Sequence, residues 1–159
     1  MLDKNIREQI IALVHKEVVP AIGCTEPMAV ALCVAKATNA LGVKPEIIDV
    51  LLSANILKNA MGVGIPGTGM IGLPIAVALG ALVGQSEYQL EVLKDATPQS
   101  VEEGKKFISE NRIHIGLKEG ITEKLYIEIT CRGKKNIGNT ADNQSATAII
   151  AGSHTNFVY

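Results

Sequence analysis

A thiol, a hydroxyl and a carboxylate stand side by side at Cys24, Thr25 and Glu26, with Gly23 before them and Pro27 after. Thr25-Glu26-Pro27 reads as the opening of a helix. Threonine is a favoured N-cap, a glutamate suits the positive end of the helix dipole, and proline fits a first turn that needs no N–H. A cysteine at such a start is expected to favour the thiolate, the form that attacks substrates and binds iron or zinc. Taken alone, the cysteine is better explained as a small buried residue in a tight loop. Capping alone accounts for Thr25 and Glu26, yet both are placed to face a substrate. A carboxylate there can hydrogen-bond an amino group or take part in proton transfer.

Two further groups carry polar chemistry. Ser53, Asn55, Lys58 and Asn59 precede a glycine-rich loop, Gly62-Val63-Gly64-Ile65-Pro66-Gly67. Lys58 is the last charge before an uncharged stretch that runs to Glu87, so it could pair with a substrate carboxylate or be a solvated lysine at a helix edge. The loop contains G-x-G-x-x-G, but no strand leads into it and no helix opens at the right point for dinucleotide binding. Backbone N–H groups around Gly67 could instead bind a carboxylate, or the loop could be a bend that lets the next helix pack. His154-Thr155-Asn156 follows a Gly-Ser turn. His154 there would be a proton carrier near neutral pH, and a simple turn suits the same three residues. His15 and His114 read as structural. Cys33 and Cys131 read as small core residues, and no Cys-x-x-Cys pattern offers a self-contained metal site.

The elements that would position these residues follow from periodicity. Asp3 caps a helix over 4–18 with Ile6, Ile10, Leu13 and Val14 on one face, and Pro20 stops it. A second helix runs from Glu26 to Leu41, with Gly42 as its C′ residue. Residues 46–53 read as a buried strand, and 56–61 as a short helical turn. An apolar helix follows over 73–83, and Thr97-Pro98 opens another that reaches about 110. The period then changes to two. Leu125, Ile127, Ile129 and Cys131 share one face, with Tyr126, Glu128 and Thr130 on the other. Arg132-Gly133-Lys134-Lys135 is expected as a hairpin turn, 145–151 as a further strand, and 156–159 as the beginning of another. The fold class is therefore α+β over 1–159 as one domain. Amino-terminal helices surround an apolar, glycine-flanked helix, with a mostly antiparallel sheet in the second half.

Composition bounds the partners. Apolar residues make up 47% of 159, enough for a core, and the net charge of −1 gives no reason to expect nucleic acid or an anionic membrane. No secretory signal pattern opens the chain. Glycines and prolines crowd the uncharged stretch and leave an apolar helix of roughly ten residues, a core length rather than a span. Three cysteines at wide gaps indicate a reducing, cytoplasmic setting. The chain stops at Phe157-Val158-Tyr159, an apolar run, from which a longer polypeptide is expected.

Ala21-Ile22-Gly23-Cys24-Thr25-Glu26-Pro27, Lys58-Asn59-Ala60-Met61-Gly62-Val63-Gly64-Ile65-Pro66-Gly67 and Gly152-Ser153-His154-Thr155-Asn156, in this order, resemble the L-cysteine desulfidases and the alpha chains of iron–sulfur L-serine dehydratases. The resemblance implies the amino-terminal part of an amino-acid lyase. It would release sulfide from L-cysteine or water from L-serine by β-elimination, leaving pyruvate and ammonia. It implies a [4Fe–4S] cluster with Cys24 as one ligand and the other ligands outside this chain, and an open iron as Lewis acid. It casts Glu26 and His154 as catalytic, and Thr25, Lys58, Asn59, Gly67, Thr155 and Asn156 as substrate-binding. Its partners would be a small amino acid, the missing carboxy-terminal half and a second copy of the chain. This chain alone would be inactive. The rival expectation is a non-catalytic module that binds a small anion at the glycine loop, or another protein, with Cys24 as packing.

Overall fold

The computed structural model describes residues 3–18, 20–137 and 140–159. The first helix, α1 (Lys4–Glu17), begins where the Asp3 carboxylate accepts the Asn5 N–H at 2.8 Å. Its apolar stripe forms as the spacing predicts, but Ile6, Ile10, Leu13 and Val14 stay 46–58% exposed. The second, α2 (Thr25–Leu41), is the opposite case. Its residues from Met28 to Ala35 are 0% exposed, because a helix that is apolar all round can only be stable inside a core. Each large side chain buried in it contributes about 1.5–3 kcal/mol relative to exposure. Gly42 ends it in the left-handed region, φ 71°, with its N–H on the Thr38 carbonyl.

The strand β1 (Ile47–Leu52) leads into the short helix α3 (Ala54–Ala60), then a two-stranded hairpin of β2 (Gly64–Ile65) and β3 (Met70–Ile71). The apolar helix α4 (Leu73–Leu82) follows. A 3₁₀ segment covers Ser86–Glu91, and α5 (Pro98–Ser109) opens with a reciprocal cap between Thr97 and Ser100. The chain closes with β4 (Ile113–Leu117), β5 (Tyr126–Ile137) and β6 (Thr140–Ala151). The sheet order is β4-β1-β5-β6; β1 and β4 are parallel and the other pairs antiparallel. The α+β expectation is met, with β1 joining the later strands at the centre of the sheet.

One face of the sheet carries Ile48, Val50, Leu52, Ile127, Ile129, Cys131, Ala148 and Ile150 into the core, against α2. The alternation along β5 is as read. The opposite face is polar: Asp49 binds His114 Nδ1 at 2.9 Å and also pairs with Arg132, and Thr130 meets Thr147 at 3.0 Å. Cys33 and Cys131 are both 0% exposed, as expected of core residues. The Cys33 thiol donates to the Ala148 carbonyl at 3.3 Å, while Cys131 lies 3.7 Å from the Thr38 hydroxyl. Burial pushes both thiols up, Cys131 to about 11.

The turn expected at 132–135 is not there. β5 runs through it, still paired with β6 from Arg132↔Ser145 to Ile137↔Thr140, and the connection at 138–139 lies outside the described residues. Gly133 serves space rather than a bend. A Cβ on it would lie 3.2 Å from the Lys44 carbonyl oxygen, where the chain enters β1. The expected last strand is a short pairing with the edge of β6. Phe157 bridges Ile150, and the Tyr159 carbonyl accepts the Ile149 N–H at 2.7 Å. Among the described residues no helix is long and apolar enough to cross a membrane.

Candidate functional site

The direction of α2 decides what gathers at its head. Cys33 sits over Ile127 and Ala148, and Thr38 over Cys131, so α2 enters from the Tyr126 end of the sheet. That end is also where β1 runs into α3. Ser53 fixes the junction: its hydroxyl donates to the Lys124 carbonyl at 2.8 Å, and its N–H reaches the Tyr126 carbonyl. The turn after β6 closes on the same end, with the Gly152 N–H on the Leu125 carbonyl.

The helix begins one residue earlier than expected. Cys24 is the N-cap (φ −69°, ψ 135°), and Thr25, Glu26 and Pro27 form the first turn. The thiol makes no capping bond to backbone. It donates to Glu26 Oε2 at 2.9 Å. The Thr25 hydroxyl donates to the same oxygen at 3.3 Å, and Asn59 Nδ2, from α3, donates to Oε1 at 3.4 Å. Three donors from two helices thus converge on one carboxylate. Two of the three bonds are long, at or beyond the outer edge of the usual range for their type.

This arrangement reverses the expected state of the thiol. Burial, then the hydrogen bond to Glu26, raises Cys24 above the ordinary thiol value, so the neutral S–H is favoured over the thiolate. Glu26 moves the other way. The hydrogen bond from Cys24, helped next by the Glu26 backbone N–H and then by Asn59 and Thr25, and opposed by burial, holds its carboxyl below the usual range. The charge of the site therefore resides on Glu26. The helix dipole favours an anion at this point, but the nearby carboxylate already fills that role.

The other selected residues take separate places. Lys58 is exposed on α3, one residue from Asn59. Gly67, φ 75°, is at the tip of the β2–β3 hairpin, next to Pro66, and Pro66 lies against Gly23 at the head of α2. Asn156 braces its own turn, its Nδ2 donating to the Ala151 carbonyl at 2.9 Å. His154 and Thr155 are half-buried in that turn, and among the described residues no hydrogen bond joins them or Lys58 to the Glu26 cluster. The structure thus unites Cys24, Thr25, Glu26 and Asn59, and puts Gly67 beside them through Pro66.

Reading the sequence missed two side-chain clusters. Tyr126 and Lys118 both donate to Glu128 Oε2 at 2.7 Å, which lifts the tyrosine to about 12, chiefly through burial and that bond. Asp49, His114 and Arg132 form the other. Their partners are 65 to 83 residues apart in sequence, so only the strand register brings them together. Surface cavities of about 360 and 260 Å³ lie elsewhere, the first beside Ile47, Arg132 and Ser145, the second beside Phe107 and Arg112. None of the residues selected from the sequence lines either one.

No family model matches the chain, and no solved structure matches it. It is 74% identical over 158 residues to a UPF0597 protein of Bacteroides fragilis, covering 99% of this chain and 35% of that protein. It is 71% identical over 159 residues to a UPF0597 protein of Phocaeicola vulgatus (100% and 35%) and 56% identical over 158 to one of Parabacteroides distasonis (99% and 35%). The chain spans about a third of the length of these curated relatives. The names correct the expected resemblance, since none is a cysteine desulfidase or a serine dehydratase alpha chain. The lyase reading and its iron–sulfur chemistry lose their basis with it. Among the described residues, moreover, no group of three or more His, Cys, Asp or Glu is placed to hold a metal ion. What the chain is similar to, along nearly its whole length, is a set of UPF0597 proteins.

Proposed function

We propose that this domain binds a small ammonium-bearing molecule at the head of α2, with Glu26 as the group that receives the positive charge. The observation that carries the reading is the convergence of Cys24, Thr25 and Asn59 on Glu26. It keeps the carboxylate ionised although it is half-buried. A carboxylate offers about four acceptor positions. The bonds from Thr25 and Asn59, at 3.3 and 3.4 Å, are weak enough for a charged donor to displace. A carboxylate at the centre of the cluster also turns the site away from the small anion that the glycine loop alone had pointed to. Lys58 and the Gly67 loop remain available for the other end of a zwitterionic ligand. The free Cys24 thiol fits the reducing cytoplasm in which we place this binding.

The test is a chemical-shift titration of the 159-residue chain with ethylammonium, glycine and N-acetylglycine. Ethylammonium and glycine are expected to shift the Cys24, Thr25 and Asn59 resonances, and N-acetylglycine to leave them in place. Glu26→Gln keeps the side-chain size and removes the charge. A hydrogen bond to a charged group is worth about 1.5–3 kcal/mol, so the affinity is expected to fall by about 10- to 150-fold. Equal shifts with N-acetylglycine, or unchanged affinity in Glu26→Gln, would refute the reading.

A further inference from the structure

The stretch before α2 is held from two sides. The Ile22 N–H donates to the Leu90 carbonyl at 3.2 Å, anchoring one flank to the 3₁₀ segment. On the other flank Pro66 presses on Gly23. A Cβ at Gly23 would lie 2.9 Å from Pro66 Cγ and 3.1 Å from Cδ, and Gly23 has φ +84°. Glycine is thus required there twice over, for space and for backbone.

The hairpin that carries Pro66 is braced. Ile65 is 3% and Thr68 8% exposed. The Thr68 hydroxyl donates to the Ile65 carbonyl at 2.7 Å and accepts the Met70 N–H at 3.0 Å. The Gly72 N–H closes the base on the Val63 carbonyl at 2.8 Å. The hairpin follows directly on α3, the helix that supplies Asn59 to Glu26. One continuous stretch, 54–72, therefore touches the head of α2 at both Gly23 and Glu26.

We propose that the β2–β3 hairpin is a fixed cover of this site, and that Pro66, seated on Gly23, is a positioning residue that holds the Cys24–Glu26 pair in its hydrogen-bonded form and shields the thiol from solvent. The inference rests on the reading of Glu26 as the ligand-receiving group, because the covered pair is the one that would receive it. The cover acts through the backbone of Gly23. The ring of Pro66 prevents the Gly23–Cys24 peptide from swinging outward, and the S–H then stays within reach of the carboxylate. Loss of the ring frees that peptide, wets the thiol and weakens the bond.

The experiment is alkylation of Cys24 by iodoacetamide in the full chain across a pH series. Cys33 and Cys131 are fully buried and do not compete. Pro66→Ala removes ring atoms from an exposed position, so the fold and melting temperature are expected to hold. The alkylation rate near neutral pH is expected to rise at least about threefold and its pH midpoint to fall, since both thiolate fraction and access increase. Gly23→Ala is expected to give the same change by pushing the hairpin off, and Gly23→Ala with Pro66→Ala to exceed neither single change by much. Wild-type rates and midpoint in a folded Pro66→Ala would overturn the proposal, whatever Gly23→Ala does. Ethylammonium titration of the same samples separates the two ideas. A thiol that responds to Pro66→Ala in a protein that binds no ammonium sinks the ligand reading and leaves the cover. Ammonium binding with an unresponsive thiol sinks the cover and leaves the ligand reading.

Discussion

The position of α2 determines where Cys24 and Glu26 stand, and Gly80 is the residue that sets how closely α4 approaches it. A Cβ at Gly80 would lie 2.7 Å from the Ala31 carbonyl oxygen and 3.1 Å from both Ala31 Cα and Val34 Cβ. Two of these three atoms are backbone, so no rotamer change relieves the overlap. Two effects then oppose each other in Gly80→Ala. Alanine is favoured over glycine in a helix interior by about 1 kcal/mol. Overpacking a tight core costs about 1–3 kcal/mol, and the backbone contact places this case in the upper half of that range. The net loss is about 1–2 kcal/mol. At roughly 2–4 °C per kcal/mol for a chain of this size, the melting temperature should fall by about 2–8 °C. Thermal unfolding followed by circular dichroism measures it, with urea unfolding as a second measure. Gly62→Ala is the control, since nothing lies within 4 Å of a Cβ there. Its stability should stay within about 0.5 kcal/mol of wild type, as for an open surface position. A Gly80→Ala protein as stable as wild type, or more so, would show that α2 and α4 do not cross this closely.

The remaining expectations are independent of that crossing. A thiol reagent added to the native chain should modify Cys24 first, and Cys33 and Cys131 only on unfolding; Cys33→Ala and Cys131→Ala should each cost on the order of 1 kcal/mol in urea unfolding. The stability curve has a sign at each end. Glu26, held low, contributes stability that is present above its unfolded value and lost as pH falls through the folded one, so Glu26→Gln should flatten the acid limb. Cys24, held high, contributes stability that is full below its unfolded value and lost as pH rises through the folded one, and Glu26→Gln should bring its alkylation midpoint down. On α1, Ile10→Lys and Leu13→Glu should leave the melting temperature within about 2 °C of wild type, since these side chains bury little; a large drop would show that α1 packs on the domain.

Local chemistry was readable wherever the cause was local. The cap at Thr97, the left-handed Gly42, the buried α2 and α4 and the two-residue alternation of β5 depend on residues within a few positions of one another, and the chain alone determined them. The head of α2 was off by one residue because cysteine and threonine can both precede a helix, and only the packed backbone selects between them. Gly133 was misread because a glycine between charged residues looks like a turn. Its actual reason, the Lys44 carbonyl 3.2 Å away, lies 89 positions back in the chain. The candidate site divides along the same line. Cys24, Thr25 and Glu26 were visible as neighbours, and Asn59 was visible as a polar residue near a glycine loop. That Asn59 reaches Glu26, that the thiol is held protonated, and that Pro66 rests on Gly23 depend on how α3 and the hairpin pack against α2. Hydrogen bonds and desolvation act over a few ångströms of space, and sequence separation carries no record of that distance until the core has closed.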